Sequence, residues 1–381
     1  MRVERISLHE LRVPLRFPFV TATTRLLDAH TLVVEVEDSD GFTGWGEAPQ
    51  AWKATGASVQ SSRAALEGPI GEALIGVEAD VRRASSILHR CVYGNHSAKM
   101  AMDIAVHDLA ARRSGVSLAT HLRDFASGPD SRGSQPYGDG ETPPVSMAGA
   151  VPTRIESDVT LPVGTPDELA ENASARVADG FTTVKVKVGG RPEADIAGVL
   201  AVRQAVPHAA LRLDANAGWR VEDALSVLGA LGRAGVDLES VEQPVPRHDL
   251  EGMAYVRRMQ PYRVVADESF STLEDLVAIV RLGAADVVNI KLAKCGGLTA
   301  AVELHKVARA HGLDVLVGCM VESHIGVGAA ASLAIGAGST TVQDLDGAWW
   351  LKSSPYRGGM TYSGSEVVLP DRPGTAIDGL L

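Results

Sequence analysis

The second half of the chain repeats one pattern: a short apolar run followed by a helix-like stretch. Seven such runs occur from residue 182 onward: TTVKVKV, LRLDAN, SVEQP, RVVADES, DVVNIKL, DVLVGCM and TTVQDL. Each carries a polar residue at or near its end: Lys187, Asp214, Glu242, Asp267, Lys291, Glu322 and Asp344. Neighbouring members of this set are 22 to 31 residues apart. That spacing fits one strand and one helix of a β/α barrel, in which ~250 residues hold eight units.

The apolar runs are nearly continuous in Val, Ile and Leu, which is typical of parallel strands buried on both faces. An open, doubly wound sheet would also alternate strands with helices. The number of units favours a barrel, and so do the polar residues, because active sites form at the C-terminal ends of barrel strands. We therefore predict an α/β fold with a barrel as the catalytic domain over residues 151–355.

Residues 1–125 are predicted to form an α+β domain. Alternating apolar residues in ERISLHELRVPL and HTLVVEVED indicate antiparallel strands, and SAKMAMDIAVHDLAARRSG has helical periodicity. Residues 126–150 are rich in Gly, Pro and Ser and are predicted to be a flexible insertion or linker.

The net charge and the cysteine content indicate where the protein is located and which partners it does not bind. The net charge is −11 and the chain has no basic run, so we expect it to bind neither nucleic acid nor a membrane. The longest weakly polar stretch, residues 325–338, is shorter than the ~20 residues that a membrane span needs. Three scattered cysteines and no signal-peptide pattern indicate a cytoplasmic protein. The oligomeric state is left open, with a homo-oligomer among the options.

Three carboxylates come from successive predicted strands: Asp214, Glu242 and Asp267. Carboxylates that converge in a poorly solvated site repel one another, and a divalent cation relieves that repulsion. Oxygen ligands favour Mg²⁺, with Mn²⁺ or Ca²⁺ as alternatives, and no His/Cys set has zinc spacing.

Lysines flank the predicted carboxylates. Lys185 and Lys187 are two residues apart, so both point to the same side of their strand. Two adjacent ammonium groups lead us to expect a lowered pKa at one of them, which would suit a general base. Lys291 lies four strands further on, roughly opposite Lys187. One lysine could remove an α-proton while the other returns a proton to the opposite face, with the metal stabilising an enediolate.

Six motifs in this order resemble the muconate-lactonizing enzyme subgroup of the enolase superfamily: KVKVG, LRLDANAGW, VEQPV, VADES, VNIKLAKCGG and VGCMVES. WGEAP and the helix SAKMAMDIAVHDLAA extend the resemblance over nearly the whole chain. It implies a (β/α)₇β TIM-like barrel with an α+β capping domain, which residues 356–381 would complete. It also implies one Mg²⁺ held by Asp214, Glu242 and Asp267. Lys187 and Lys291 would be the acid/bases, with Lys185 tuning Lys187.

The sequence TTVQDLDG resembles the DxD signature of dipeptide epimerases, close to the Ala-Glu epimerases. By that resemblance, Asp344 and Asp346 bind the ammonium group of a dipeptide; in isolation the pair would indicate a solvated turn. Ala-Glu epimerases carry an arginine in the first capping-domain loop, where this chain has Thr24 followed by Arg25. Other predicted substrate contacts follow the sixth run, DVLVGCM: Val321, Glu322 and His324. Asn216, Glu268 and Asn289 are candidates to support the site, although each could equally cap a local turn.

The predicted function is Mg²⁺-dependent epimerisation of a dipeptide at the α-carbon of its C-terminal residue, by two-base 1,1-proton transfer. Other reactions of the subgroup remain as alternatives: N-acylamino acid racemase, o-succinylbenzoate synthase and cycloisomerase. An alternative of a different class is a non-catalytic metal-binding barrel protein.

Overall fold

The computed structural model describes residues 1–20, 25–78, 80–128 and 151–381. Its N-terminal part contains an antiparallel sheet of three strands in the order β1-β2-β3: β1 Val3–Val20, β2 Arg25–Asp38 and β3 Thr43–Pro49. The alternating pattern of β1 predicts an antiparallel strand of this kind: Val3, Val13 and Leu15 are buried, while its Glu and Arg side chains are exposed. These strands confirm the predicted α+β character of the N-terminal part.

Helices cover one face of this sheet: α1 Val59–Ala65, α2 Gly71–Leu74, α3 Val81–Cys91, α4 His96–Arg113 and α5 Leu118–Ser127, with a π-helical turn at Leu66–Ile70. Helix α4 is buried nearly all round because it packs on β3 on one side and on the barrel on the other. Helix α5 extends two residues into the range predicted as a linker, and residues 129–150 lie outside the described part of the chain.

Seven parallel strands form the barrel sheet, in sequential order: β5 Val159–Leu161, β6 Thr183–Lys187, β7 Ala210–Asp214, β8 Ser240–Glu242, β9 Arg263–Ala266, β10 Val287–Lys291 and β11 Asp314–Gly318. Helices alternate with them: α6 Pro166–Ala178, α7 Pro192–Ala205, α8 Val221–Arg233, α9 Leu250–Met259, α10 Leu273–Leu282, α11 Leu292–Cys295, α12 Leu298–Ala310 and α13 His324–Gly336. Six of the seven predicted runs are therefore regular barrel strands.

The seventh run, TTVQDL, forms only two bridge residues rather than a full strand. Gln343 pairs with Ser157 and Asp344 pairs with Gly318, so these two residues join both edges of the seven-stranded sheet. The side chain of Gln343 continues the ladder by accepting a hydrogen bond from the Val317 N–H (2.8 Å). In place of an eighth strand, the barrel is thus closed by two bridge residues, Gln343 and Asp344.

The C-terminal segment contacts both parts of the molecule. β12 Tyr356–Gly358 pairs with β15 Ile377–Leu380, while β13 Thr361–Ser363 and β14 Glu366–Val368 form a sheet with β4 Arg154–Glu156. The Thr375 N–H donates to the buried Asp108 of α4 (2.6 Å), which ties this segment to the N-terminal domain. Among the described helices, none is long and apolar enough to cross a bilayer.

Candidate active site

A row of three carboxylates lies at the C-terminal end of the barrel. Asp214 and Glu242 end β7 and β8, and Asp267 follows β9 directly. All three are buried. Their oxygens are linked through shared lysines: Lys185 Nζ lies 3.2 Å from Asp214 Oδ2 and 2.7 Å from Glu242 Oε2. The structure therefore brings together, in strand order, the residues that the sequence predicts as metal ligands.

Lys187 and Lys291 lie at opposite ends of this row. Lys187 Nζ donates to Asp214 Oδ2 (2.6 Å), and Lys291 Nζ donates to Asp267 Oδ2 (2.9 Å). Gly318 gives the Lys291 side chain its room, since a Cβ there would lie 2.9 Å from Lys291 Cε and 2.5 Å from Asn289 Oδ1. Two amines therefore contact the two ends of the row from strands that are four places apart in the sheet.

Lys185 is the more deeply buried of the two lysines on β6. Its ammonium group is enclosed by Glu242, Asp344 and Asp214. Burial by itself would lower the pKa of Lys185, but these three carboxylates, led by Asp344, raise the pKa well above its usual value. Of the two lysines, Lys185 is therefore not the one with a lowered pKa, because the carboxylates that it contacts outweigh its burial.

The oxygen atoms of the three carboxylates are ligands of the kind that a hard divalent cation prefers. In this structure the same oxygens contact lysine ammonium groups. Within the described residues, no three His, Cys, Asp or Glu side chains are arranged to hold a metal ion. Lysine ammonium groups contact an oxygen of each of the three carboxylates. Three carboxylates at neighbouring strand ends are nonetheless the oxygen set that Mg²⁺ prefers. Asp214, Glu242 and Asp267 remain the predicted ligands.

The three predicted supporting residues all contact this row or its neighbours. Asn216 donates its backbone N–H to Asp214 Oδ1 (2.9 Å) and its side chain to Glu268 Oε1 (3.2 Å). Asn289 donates to Glu242 Oε1 (3.0 Å). Burial, and then the charge of Asp267, raise the pKa of Glu268 to about 7. These contacts fix the carboxylates against rotation.

Asp344 and Asp346 are more enclosed than the sequence suggests. Asp344 accepts hydrogen bonds from Lys185 (2.9 Å) and Asn289 (3.3 Å), so it belongs to the charged interior of the barrel. Asp346 uses one oxygen, Oδ2, to accept from the Thr160 N–H (2.8 Å) and the Trp350 indole (3.0 Å). Its Oδ1 makes no hydrogen bond within the described part of the chain. Asp344 is therefore paired with a lysine ammonium group, whereas Asp346 accepts from two uncharged donors.

The remaining predicted substrate contacts are spread around the mouth of the barrel. Thr24 lies outside the described residues. Arg25 is exposed and lines a cavity of about 340 Å³ together with Phe17, Thr160 and Trp350. Val321 is half-buried and faces the barrel core.

Glu322 and His324 are shielded from solvent. Glu322 is only 1% exposed, and its Oε2 has no hydrogen-bond partner within the described residues. His324 also keeps a buried, unpartnered Nδ1, and burial lowers its pKa to about 4.

Lys294 is a site residue that the sequence reasoning missed. It is buried, and its ammonium group donates to both the carboxylate and the backbone carbonyl of Asp267 (2.5 Å for the carbonyl). It also donates to the carbonyl of Asn289 (3.2 Å). The available signal was its place three residues after Lys291 at the start of a helix, since side chains with that spacing share a helix face.

Comparisons with known proteins identify the family of the chain. Residues 4–122 match the family model "Mandelate racemase / muconate lactonizing enzyme, N-terminal domain", and residues 168–379 match "Enolase C-terminal domain-like". The L-Ala-D/L-Glu epimerase of Bacillus subtilis is 34% identical over 384 residues, covering 100% of this chain and 97% of that protein.

Solved structures show the same similarity. A substrate-liganded complex of the Bacillus subtilis enzyme has a TM-score of 0.91 at 33% identity, with 100% of each chain covered. The dipeptide epimerase from Enterococcus faecalis, complexed with Mg and the dipeptide L-Leu-L-Tyr, has a TM-score of 0.88 at 31% identity, with 99% of each chain covered. The matches span both domains and nearly the full length. The chain therefore belongs to the mandelate racemase/muconate lactonizing enzyme family of the enolase superfamily and is an enzyme of the isomerase class.

Proposed function

We propose that the chain catalyses Mg²⁺-dependent epimerisation of dipeptides at the α-carbon of the C-terminal residue. The observation that carries this proposal is the placement of Lys187 and Lys291 at the two ends of the carboxylate row. Its support from relatives is that similar proteins are named epimerases of dipeptides and that one was solved with Mg and a dipeptide.

The reaction is a 1,1-proton transfer between the two lysines. One lysine, neutral at the start, takes the α-proton and becomes an ammonium group; the opposite lysine gives its proton to the other face and becomes neutral. Bound at Asp214, Glu242 and Asp267, Mg²⁺ would supply positive charge against the negative charge that develops on the substrate carboxylate. Lys185, held charged by its carboxylates, adds a fixed positive charge beside Lys187.

Asp346 is the proposed anchor for the free ammonium group of the dipeptide. Its Oδ2 accepts from Thr160 and Trp350, which hold the carboxylate in one orientation, and no donor among the described residues bonds Oδ1. Asp344 contributes through its negative charge, since its Oδ2 is bound to Lys185. An N-acylated amino acid has no cation to meet this pair, so the carboxylates favour a substrate with a free amino terminus.

Side-chain specificity is assigned to the residues around the mouth. Arg25 and the cavity next to Trp350 lie beside the strand end that holds Asp346. Val321, Glu322 and His324 follow β11, whose last residue, Gly318, pairs with Asp344. We propose that these two groups contact the two side chains of the dipeptide.

The test is proton exchange in D₂O with purified protein, MgCl₂ and a library of L,L-dipeptides. We expect deuterium at the C-terminal α-carbon and formation of the L,D product for a subset of the library, read by NMR. Chelation of the metal should abolish both signals. A library in which no member exchanges would contradict the proposal.

Two measurements distinguish dipeptide epimerisation from the other reactions of the family: the preference between substrates and the effect of one substitution. N-succinylamino acids should exchange far more slowly than the preferred dipeptide. Asp346→Asn should raise KM for the dipeptide because the carboxylate charge is lost. If N-acylated substrates are preferred and Asp346→Asn has no effect, N-acylamino acid racemisation is the better description.

A further inference from the structure

A carboxylate of the N-terminal domain caps a helix of the barrel. Glu47 lies in β3 and is fully buried. Its Oε1 accepts from the Ser323 N–H (2.8 Å), and its Oε2 accepts from the Ser323 hydroxyl (2.6 Å) and the Gly326 N–H (2.8 Å). All three donors lie at the start of α13, and the carboxylate comes from a strand 276 residues away.

This arrangement replaces the usual local cap. In a capping box, the N-cap side chain accepts from the N–H three residues on, and that third residue's side chain accepts from the N-cap N–H. Here Ser323 is the N-cap but makes no such bond, and the third residue is Gly326. One carboxylate from another domain does both jobs, while the Ser323 hydroxyl also bonds the Tyr356 hydroxyl (2.7 Å).

A second carboxyl group lies beside the first. A Cβ built on Gly326 would lie 2.3 Å from Glu322 Oε2 and 3.1 Å from Glu47 Oε2, so the glycine makes room for both groups. Glu322 Oε1 accepts from the Met320 N–H (2.9 Å), but Oε2 is buried and has no partner within the described residues. The donors at the start of α13 thus bond Glu47, and within the described residues no donor bonds Oε2 of Glu322.

The segment between β11 and α13 belongs to the mouth of the barrel. Gly318 at its start pairs with Lys291, and the Cys319 N–H bonds the carbonyl of Asp344 (3.1 Å). Residues 319–323 thus connect the strand ends that carry Lys291 and Asp344 to the N-terminus of α13, which Glu47 caps.

We propose that Glu47 is a positioning residue, which fixes residues 320–323 from the capping domain and thereby sets the place of Glu322 at the active site. Its consequence for turnover rests on the function proposed above. The capping itself does not, because it can be measured in the absence of substrate. The capping domain then contributes a fixed part of the catalytic end of the barrel in addition to its loops.

The first measurement is amide hydrogen exchange of Glu47→Gln without substrate. A glutamine keeps the size but has one acceptor oxygen, and its NH₂ group opposes the helix N–H groups. We expect the Ser323 and Gly326 amides to exchange faster by about 10- to 100-fold, the range for a lost charge-assisted hydrogen bond. Asp108→Asn is the matched control: Asp108 is an equally buried carboxylate of the same domain that accepts from the Trp45 and Thr375 N–H groups. It should leave the Ser323 and Gly326 amides unchanged.

The second measurement is the kinetics of the same variants on the preferred dipeptide. Glu47→Gln should lower kcat by up to about 100-fold, the loss that follows when a group in the active site is misplaced by about 1 Å. The affinity for Mg²⁺ should stay unchanged. Asp108→Asn should lower stability while kcat and KM stay at the wild-type values. If Glu47→Gln does not fold, Ser323→Ala replaces it, since it removes one bond of the same contact; we then expect a smaller loss in kcat, about 10-fold.

Wild-type kinetics in a folded Glu47→Gln or Ser323→Ala protein would overturn the positioning role. So would unchanged exchange of the Ser323 and Gly326 amides. Failure of the wild-type enzyme to turn over any dipeptide would instead contradict the proposed function, and amide exchange would still decide whether Glu47 fixes the segment.

Discussion

At the scale of single residues, the barrel interior is a set of buried charges that satisfy one another. Lys185, Lys187, Lys291 and Lys294 each contact at least one buried carboxylate. Burying ions costs free energy that pairing only partly returns, so a hydrophobic interior would often be at least as stable. Keeping such a set at the end of a barrel, where loops admit substrate, is a cost that catalysis explains.

The first prediction concerns the two acid/bases. Lys187→Ala and Lys291→Ala should each abolish epimerisation, because neither leaves an amine on both faces of the α-carbon. Each variant should still exchange the α-proton of the one epimer whose proton faces the remaining lysine. Incubation of L,L- and L,D-dipeptides in D₂O, followed by NMR, checks this complementary pattern.

Lys306→Ala is the control for this pair, since Lys306 is an exposed lysine on α12. It should retain wild-type epimerisation. If Lys187→Ala and Lys291→Ala both exchange the same epimer, the two lysines serve one face and the two-base scheme fails.

The second prediction concerns Glu322. Burial, and then the charge of Glu47, raise its pKa to about 8, so the folded protein keeps this carboxyl neutral while the unfolded chain ionises it near 4.5. The unfolded state therefore binds fewer protons between these values, and the free energy of unfolding falls as pH rises through that window. Glu322→Gln, which resembles the neutral form, should remove this loss.

Urea unfolding at several pH values measures the effect. Relative to wild type, Glu322→Gln should gain stability steadily from about pH 4.5 to about pH 8 and no further above it. A difference in stability that does not change with pH would show that Glu322 is ionised in the folded protein.

At the scale of elements, α13 shows how a site constrains a helix. The stretch 325–338 is so rich in small apolar residues that its composition alone indicates a buried helix, and it is one. Composition cannot show why Gly326 is a glycine. Its position opposite two carboxyl oxygens depends on a strand from another domain, and no local pattern carries that information.

The third prediction follows from this helix. A Gly→Ala change inside a helix usually stabilises by about 0.5–1 kcal/mol. Gly326→Ala should instead destabilise, because its Cβ would overlap Glu322 Oε2 at 2.3 Å. The expected loss is about 1–3 kcal/mol in urea unfolding, the range for an overpacked interior.

Gly328→Ala is the matched control in the same helix. The nearest atom to its added Cβ is Met360 Cγ at 3.3 Å, on a flexible side chain that can move. We expect Gly328→Ala to be neutral or mildly stabilising. Equal losses in both variants would show that crowding along the whole helix, and not the carboxyl pair, sets the requirement for glycine.

At the scale of the whole molecule, the sequence predicts the repeated strand and helix units. It does not predict contacts between residues that are far apart in the chain. Six barrel strands could be predicted, and so could the carboxylates and lysines at their C-terminal ends. Both predictions depend on periodicity and spacing, which are local properties of the sequence. Three features could not: the state of Lys185, the contact of Lys294 with Asp267, and the cap supplied by Glu47. Each depends on side chains from separate strands or domains that meet only in the folded chain.

The last prediction concerns metal binding by the folded protein. A ligand that binds only the folded state stabilises it by mass action, by about 2.7 kcal/mol at 100 times its Kd. Rising MgCl₂ should therefore raise the thermal midpoint, with NaCl at matched ionic strength as the control for screening. Asp214→Asn should abolish the shift, because it removes one predicted ligand. In this structure the lysines hold the carboxylate oxygens, so binding must draw Asp214 and Asp267 away from Lys187 and Lys291. If MgCl₂ and NaCl move the midpoint equally, the lysines alone neutralise the row and the predicted metal site is wrong.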